Sequence, residues 1–215
     1  MRLEPVETYF TYTRKEITPL IPQKVDRVLE IGCGAGMTLS WIKVHKGCTW
    51  TCGVEISPAA AEQAGKILDE VYVGNIESMV LPIEKSSLDL ILCLDVLEHT
   101  IDPWQVMKKL HQFLKPNGFI IVSLPNIRNK EVIFPLLFKG KWEYQEAGIL
   151  DRTHLRFFVR ESAIQLVKSA GFDVDMVLTT GLGSSRKSQC INGLLPDFIR
   201  SFFVYQYLVR GIKTE

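Results

Sequence analysis

The apolar positions fall into two kinds of run. Short unbroken stretches of strand length recur at residues 27–31, 49–56, 70–73, 88–94 and 119–124. Apolar runs of that length without polar alternation are what parallel strands buried on both faces look like. Between them the spacing turns helical. Val106, Leu110, Phe113 and Leu114 share one face behind Asp102-Pro103, an N-cap residue followed by a proline suited to the first helical position. Similar patterns predict helices over 36–46, 58–68 and 160–170, the last closed by Gly171. A strand over 172–180, a loop over 181–187, a short helix over 194–202 and a final strand over 203–212 complete the chain. Alternation of strand and helix predicts an α/β fold on a mostly parallel sheet, as a single domain over 1–215.

Two segments depart from this rhythm. In the leader, residues 1–24, the spacing of Tyr9, Tyr12, Lys15, Glu16 and Leu20 predicts a short amphipathic helix ending at Pro19-Leu20-Ile21-Pro22. It either packs on the sheet edge or covers a ligand with Tyr12 and Arg14. Residues 127–158 are too long for a plain strand-to-helix link, and insertions at the ligand end of such a sheet serve as covers. This one holds an apolar run, 132–138, broken by Pro135. It also holds Asp151, Arg152, His154 and Arg156 among apolar neighbours. Such a polar group is either buried and paired, as in an Asp151–Arg pair holding the loop, or functional.

Composition narrows the class. A chain of 215 residues with 47% hydrophobic content suits one α/β domain. The net charge of +1 is mixed along the chain, with no basic run to neutralise phosphates, so nucleic acid is not an expected partner. Cys33, Cys48, Cys52, Cys93 and Cys190 form no C-x-x-C pair and no zinc spacing, which reads as reduced thiols in a cytoplasmic protein. No apolar run reaches membrane-span length, although 132–138 suits peripheral contact with a membrane surface or a lipid-linked ligand. The sequence is silent on oligomeric state.

The candidate chemistry begins at Val28-Leu29-Glu30-Ile31-Gly32-Cys33-Gly34-Ala35-Gly36. A buried strand, a glycine turn and a helix start form a site for a nucleotide-type cofactor, since glycines let the backbone approach a ligand and the helix start offers unpaired N–H groups. A dinucleotide fingerprint places its third glycine where Met37 stands, which argues against a nicotinamide oxidoreductase. The pattern is E-x-G-x-G-x-G instead. Glu30 repels a diphosphate and welcomes a cation, which favours S-adenosylmethionine with its ammonium and sulfonium. Glu55 follows Gly34 at the distance where a carboxylate accepts ribose hydroxyls, and Ile56 beside it makes one wall for adenine.

These residues resemble class I S-adenosylmethionine-dependent methyltransferases. The resemblance implies a Rossmann-like fold of seven strands in the order 3-2-1-4-5-7-6, with helices on both faces and strand 7 antiparallel. It implies that Gly32, Cys33, Gly34 and Gly36 surround the methionine part while Glu30 holds its ammonium. Tyr12 and Arg14 suit the methionine carboxylate. Asn75 stands where the family usually has an Asp that accepts the adenine amino group, with Ile76 as the second wall. Leu94 and Asp95 line the cofactor. Residues 114–118, L-K-P-N-G, resemble the family's L-K-P-G-G turn, with Asn117 taking positive φ. D-x-L-E-H-x-x-D-P at 95–103 is similar to the ubiquinone-biosynthesis O-methyltransferases. G-x-L-D-R-T-H-L-R-F-F at 148–158 resembles methyltransferases encoded with surface-polysaccharide enzymes. The implied activity is O-methylation of a sugar or glycolipid hydroxyl, followed by a phenolic or quinone-precursor hydroxyl, with S-adenosylhomocysteine as product. His154 is the candidate base. His99 is either a reserve base or structural, and no metal is expected. A third reading is a cofactor-binding subunit without catalysis.

Overall fold

The computed structural model describes residues 12–182 and 196–214, and the description below concerns those residues. A short 3-10 helix, Lys15–Leu20, leads into β1 (Arg27–Ile31), α1 (Met37–Lys46), β2 (Trp50–Glu55), α2 (Pro58–Ala64), β3 (Glu70–Val73) and β4 (Leu88–Leu94). A 3-10 turn at Leu97–His99 precedes α3 (Pro103–His111), β5 (Leu114–Pro125), α4 (Lys130–Lys139), α5 (Arg160–Ser169), β6 (Phe172–Thr180), α6 (Asp197–Arg200) and β7 (Gln206–Lys213). The strands form one seven-stranded sheet in the order β3-β2-β1-β4-β5-β7-β6. β1 to β5 pair in parallel, and β7 runs antiparallel to both β5 and β6. This is the Rossmann-like α/β architecture expected of the chain.

The unbroken apolar runs are explained by cover on both faces. Leu29, Ile31, Ile91, Cys93, Ile120 and Val122 pack on one face with Val106, Met107 and Leu110 of α3 and Leu166 and Val167 of α5. Their neighbours in sequence, Val28, Leu90, Leu92 and Ile121, point to the opposite face and meet Leu39 and Ile42 of α1 and Ile17 and Leu20 of the leader. The chain leaves β1 toward β2 and leaves β4 toward β5. The carboxyl ends of β1 and β4 therefore diverge and open the crevice where ligands of such sheets bind. Asp89 steadies the other end of β4 by accepting from the Asp26 and Arg27 N–H groups, at 3.0 and 2.8 Å, and from Lys115 Nζ at 2.6 Å.

Several expectations are corrected. The leader helix is of the 3-10 type, and its end at Leu20 falls within the Pro19–Pro22 stretch as expected. The predicted start of that helix, with Tyr9, lies outside the described residues. The run 132–138 is helical, inside α4, with Pro135 within the helix. Residues 114–118 belong to β5, where Leu114 already pairs with Leu88, although Asn117 takes φ 61° as expected. The helix predicted over 194–202 is confined to Asp197–Arg200 where it is described, and the final strand starts at Gln206 rather than at residue 203. Cys190 and most of the loop predicted over 181–187 lie outside the described residues.

Candidate active site

Gly32, Gly34 and Gly36 all take positive φ, at 69°, 54° and 81°. That backbone carries the chain from β1 into α1 and is strained for any side chain. At Gly32 an added Cβ would lie 2.4 Å from Val96 Cγ2. Gly36 is the N-cap of α1 and packs under Ala64 and Leu68. It does not line the cavity, so its part is to shape the helix entry rather than to surround the methionine.

The crevice is a cavity of about 720 Å³ lined by the β1, β2 and β4 ends, the 74–77 loop, Tyr12 and Arg14, and His99, Thr100 and Thr153. Glu30, Gly32, Cys33, Gly34, Glu55, Ile56, Asn75, Ile76, Leu94 and Asp95, the candidate cofactor residues, all border it. Glu30 is 3% exposed, and its Oε2 has no hydrogen-bond partner. Burial pushes its carboxyl up to about 8, with Arg14 opposing and Glu55 adding to the shift. An unpaired buried acid at a cavity wall is matched by a cationic donor. Glu55 is held by the Gly34 N–H at 2.8 Å and the Ser57 N–H at 2.9 Å, one on each oxygen. Each oxygen keeps a further lone pair for a hydroxyl.

Asn75 also has a local task. Its Oδ1 accepts the Glu77 N–H at 2.8 Å, so the amide first builds the loop. Ile56 and Ile76 remain on either side of the cavity. Arg14 is held by Asp95 and Glu16, with Ser123 Oγ at 3.1 Å. Asp95, at φ 57°, in turn accepts from Ser123 Oγ at 2.7 Å and from Gln206. The leader is thereby fastened over the end of β4. Sequence reasoning missed this fastening, and it missed Lys109, whose ammonium holds the Ile76 carbonyl at 2.6 Å and that of Met79. Nothing local marks Lys109 or Gln206, because both act across long sequence separations.

At the other end of the cavity, the insertion docks on the 3-10 turn. The N–H groups of Leu155 and Arg156 both donate to the Glu98 carbonyl, at 2.8 and 3.0 Å. Arg156 also donates to the Ile101 carbonyl at 3.1 Å through Nε. The Asp151–Arg pair, one of the two readings offered by the sequence, does not form among the described residues. Arg152 pairs with Glu146, and Asp151 accepts the Thr153 N–H at 2.8 Å and its hydroxyl at 2.6 Å. Burial opposes ionisation of Asp151, but the two Thr153 hydrogen bonds hold its carboxyl below the usual range.

With its proton committed to Asp151, the Thr153 hydroxyl can only accept from His99 Nδ1, 2.9 Å away. His154 Nδ1 lies 3.0 Å from the Ile149 carbonyl. Both imidazoles therefore carry their proton on Nδ1 and keep the Nε2 lone pair free. The rings stand edge to face, 4.6 Å apart. Burial, with His154 alongside, lowers the pKa of His99. Beneath them Glu98 is 1% exposed, and neither carboxylate oxygen has a partner. Burial, with Asp95 adding, pushes its carboxyl well above the usual range. One ligand atom from each of Glu98, His99 and His154 lies within 4.8 Å of the others. His154 does not border the cavity. His99 and Thr153 do, with His154 directly behind.

Comparison with known proteins agrees with the fold. A ubiquinone biosynthesis O-methyltransferase of Acinetobacter baylyi is 25% identical over 160 residues, covering 67% of this chain and 66% of the relative, so the match spans just under two thirds of that protein. The enzyme of the same name from Paracidovorax citrulli is 26% identical over 172 residues, covering 73% of this chain and 71% of the relative. Among solved structures, a Haloferax volcanii methyltransferase in complex with the Trm112 activator superposes with TM-score 0.69 at 16% identity, over 97% of this chain and 92% of that one. An Archaeoglobus fulgidus SAM-dependent methyltransferase gives 0.67 at 19%, over 96% and 94%. No helix among the described residues is long and apolar enough to cross a membrane. Residues 6–177 match the family model described as a methyltransferase domain, and the chain belongs to that family.

Proposed function

We propose that this enzyme transfers the methyl group of S-adenosylmethionine to a hydroxyl of a small-molecule acceptor. The observation that carries the reading is the two-ended cavity. Glu30, with its buried Oε2 unpaired, and the ribose-type acid Glu55 stand at one end, and His99 stands at the other with His154 behind it. Glu30 receives the ammonium and Glu55 the ribose hydroxyls. Ile56 and Ile76 enclose the adenine, and Asn75 offers its remaining hydrogen-bonding capacity to the adenine edge. Arg14 and Tyr12 lie on the side that suits the methionine carboxylate.

Displacement from a sulfonium needs an aligned nucleophile, exclusion of water and removal of the hydroxyl proton. The sequence reading gives proton removal to His154 with His99 in reserve. The positions favour the reverse order for direct contact, since His99 borders the cavity and His154 stands behind it.

The first acceptor class is a carbohydrate or glycolipid hydroxyl, and the second is a phenolic or quinone-precursor hydroxyl. The aromatic row that runs outward from His154 through Phe157 to Trp142 suits the face of either ring. Phe134, Leu137 and Phe138 of α4 are exposed on the same insertion, which favours an acceptor with an apolar tail presented at a membrane surface. Liposome flotation that leaves the protein unbound would remove that last element. The buried free thiols Cys33, Cys48, Cys52 and Cys93 fit a reducing, cytoplasmic setting.

The test is an acceptor panel with methyl-labelled S-adenosylmethionine, spanning glycolipids, nucleotide-sugars and catechols. Label on a hydroxyl oxygen of one class supports the reading. Tight S-adenosylhomocysteine binding with no turnover on any acceptor would instead favour a non-catalytic cofactor-binding subunit.

A further inference from the structure

We propose that Glu98, His99 and His154 form a binding site for a divalent transition-metal cation, and that the cation staples the acceptor-covering insertion to the sheet. The inference rests on the methyltransferase reading above and deepens it at the acceptor end.

Several observations converge. The Glu98 carboxylate is 1% exposed, and both its oxygens lack partners. A buried acid left without any donor is costly, and an orphaned pair of oxygens is the arrangement a cation completes. The two histidines keep their Nε2 lone pairs free because each Nδ1 faces an oxygen, that of Thr153 for His99 and that of Ile149 for His154. Metal-ligating histidines are held in this way, with the other ring nitrogen donating to a carbonyl or hydroxyl that fixes tautomer and orientation. The ligand atoms already lie within 4.8 Å of one another.

Asp95 is close in sequence but is committed elsewhere, to Arg14, Ser123 and Gln206. The donor set is thus two imidazoles and one carboxylate rather than a ring of oxygens. Such a set prefers cations of the zinc, cobalt and iron type over magnesium and calcium. His99 borders the cavity, so a cation held there would polarise an acceptor hydroxyl and lower its pKa. In that case both imidazoles act as ligands, the base roles given above to His154 and His99 become binding roles, and the proton of the polarised hydroxyl leaves to solvent through the cavity. The staple follows from topology. Glu98 and His99 belong to the turn after β4, whereas His154 belongs to the insertion, and between them the segment meets the turn through backbone bonds to the Glu98 carbonyl.

The experiment is a titration of the full-length, chelator-treated protein with cobalt(II), read by visible absorption. One equivalent is expected to give d–d bands, and magnesium in about 100-fold excess is expected not to displace them. Glu98→Gln, nearly isosteric, and His154→Asn are each expected to weaken cobalt binding at least about 10-fold, the usual scale for losing part of a coordination sphere. Both variants are expected to keep S-adenosylhomocysteine affinity, which also reports that they fold. Saturating cobalt should slow tryptic cleavage after the exposed Arg152 by about 5-fold or more in wild type and not in Glu98→Gln. Absence of stoichiometric bands, bands unchanged in Glu98→Gln, or displacement by magnesium would each overturn the site. Loss of cobalt binding with S-adenosylhomocysteine binding intact counts against the cation alone. Failure to bind S-adenosylhomocysteine counts against the methyltransferase reading.

Discussion

The two ends of the cavity are built differently. The end proposed for the cofactor is built around one continuous stretch: Glu30 to Gly34 supply an acid and a backbone cradle, and Glu55 clasps the Gly34 N–H from the neighbouring strand. The acceptor end is made of distant chain, with His99 on a turn after β4 and the Thr153–His154 pair 54 residues or more away on an insertion. The first kind of site is fixed by backbone geometry and tolerates little change. The second is fixed by side-chain contacts, so it is free to change acceptor while the cofactor stays the same.

Substitutions should separate the two ends cleanly. The largest effect is expected at Gly32→Ala. A methyl there collides with Val96 and sits at φ 69°. Affinity for S-adenosylhomocysteine should fall by about 100-fold or more, a loss of about 3 kcal/mol on the binding scale, measurable by calorimetry. Unchanged affinity would mean that the glycine turn is not the cradle.

Next is Glu30→Gln, which keeps shape and removes charge. S-adenosylhomocysteine binding should weaken by about 10-fold or more, a step of about 1.4 kcal/mol.

The wild-type pH dependence follows from the same group. Glu30 has a folded pKa of about 8, above its unfolded value, so the folded state holds the proton more tightly. The contribution of Glu30 to apo stability is therefore complete below the ordinary carboxylate range and is lost as pH rises toward about 8. Thermal melts should show Tm drifting down across that window in wild type more than in Glu30→Gln. S-adenosylhomocysteine, whose ammonium needs the ionised acid, should bind more tightly as pH rises through the same window, by at most about 10-fold per pH unit.

Asp151→Asn tests the acceptor end. It weakens the hydrogen-bonded chain from Asp151 through Thr153 to His99. We expect kcat to fall by about 10-fold, the cost of one misplaced imidazole contact at about 1.4 kcal/mol, with cofactor affinity unchanged. A shift in cofactor affinity instead would erase the distinction between the two ends.

The smallest effect is expected at Phe138→Ser. This exposed α4 residue should change folding stability by no more than about 0.5 kcal/mol in a denaturant melt, because no core contact depends on it.

The same contrast explains what was legible in the sequence. The sheet order was implied by the family resemblance and not by periodicity, whereas the candidate residues of the cofactor end were readable because they lie in short motifs whose spacing is set by strand and turn geometry. Glu55 is an example, placed by the length of one βαβ unit. Asn75 was half readable. It lines the cavity, and its Oδ1 also accepts the Glu77 N–H, a local turn bond that the loop sequence only hints at. At the acceptor end, His99 and His154 were found as residue types. Their contact was not, because nothing in the spacing of a 55-residue separation encodes a 4.6 Å approach. The orphaned state of Glu98 was invisible for the same reason, since burial is decided by what the insertion covers. The Asp151–Arg alternative failed because nearness in sequence says little about a loop in which Arg152 meets Glu146 instead.

The most direct test of the central claim is calorimetric titration of the purified chain with S-adenosylhomocysteine, with NAD as control. The account predicts one site per chain for S-adenosylhomocysteine, weakened in Glu30→Gln, and no heat with NAD. Binding of NAD, or silence with S-adenosylhomocysteine, would contradict it.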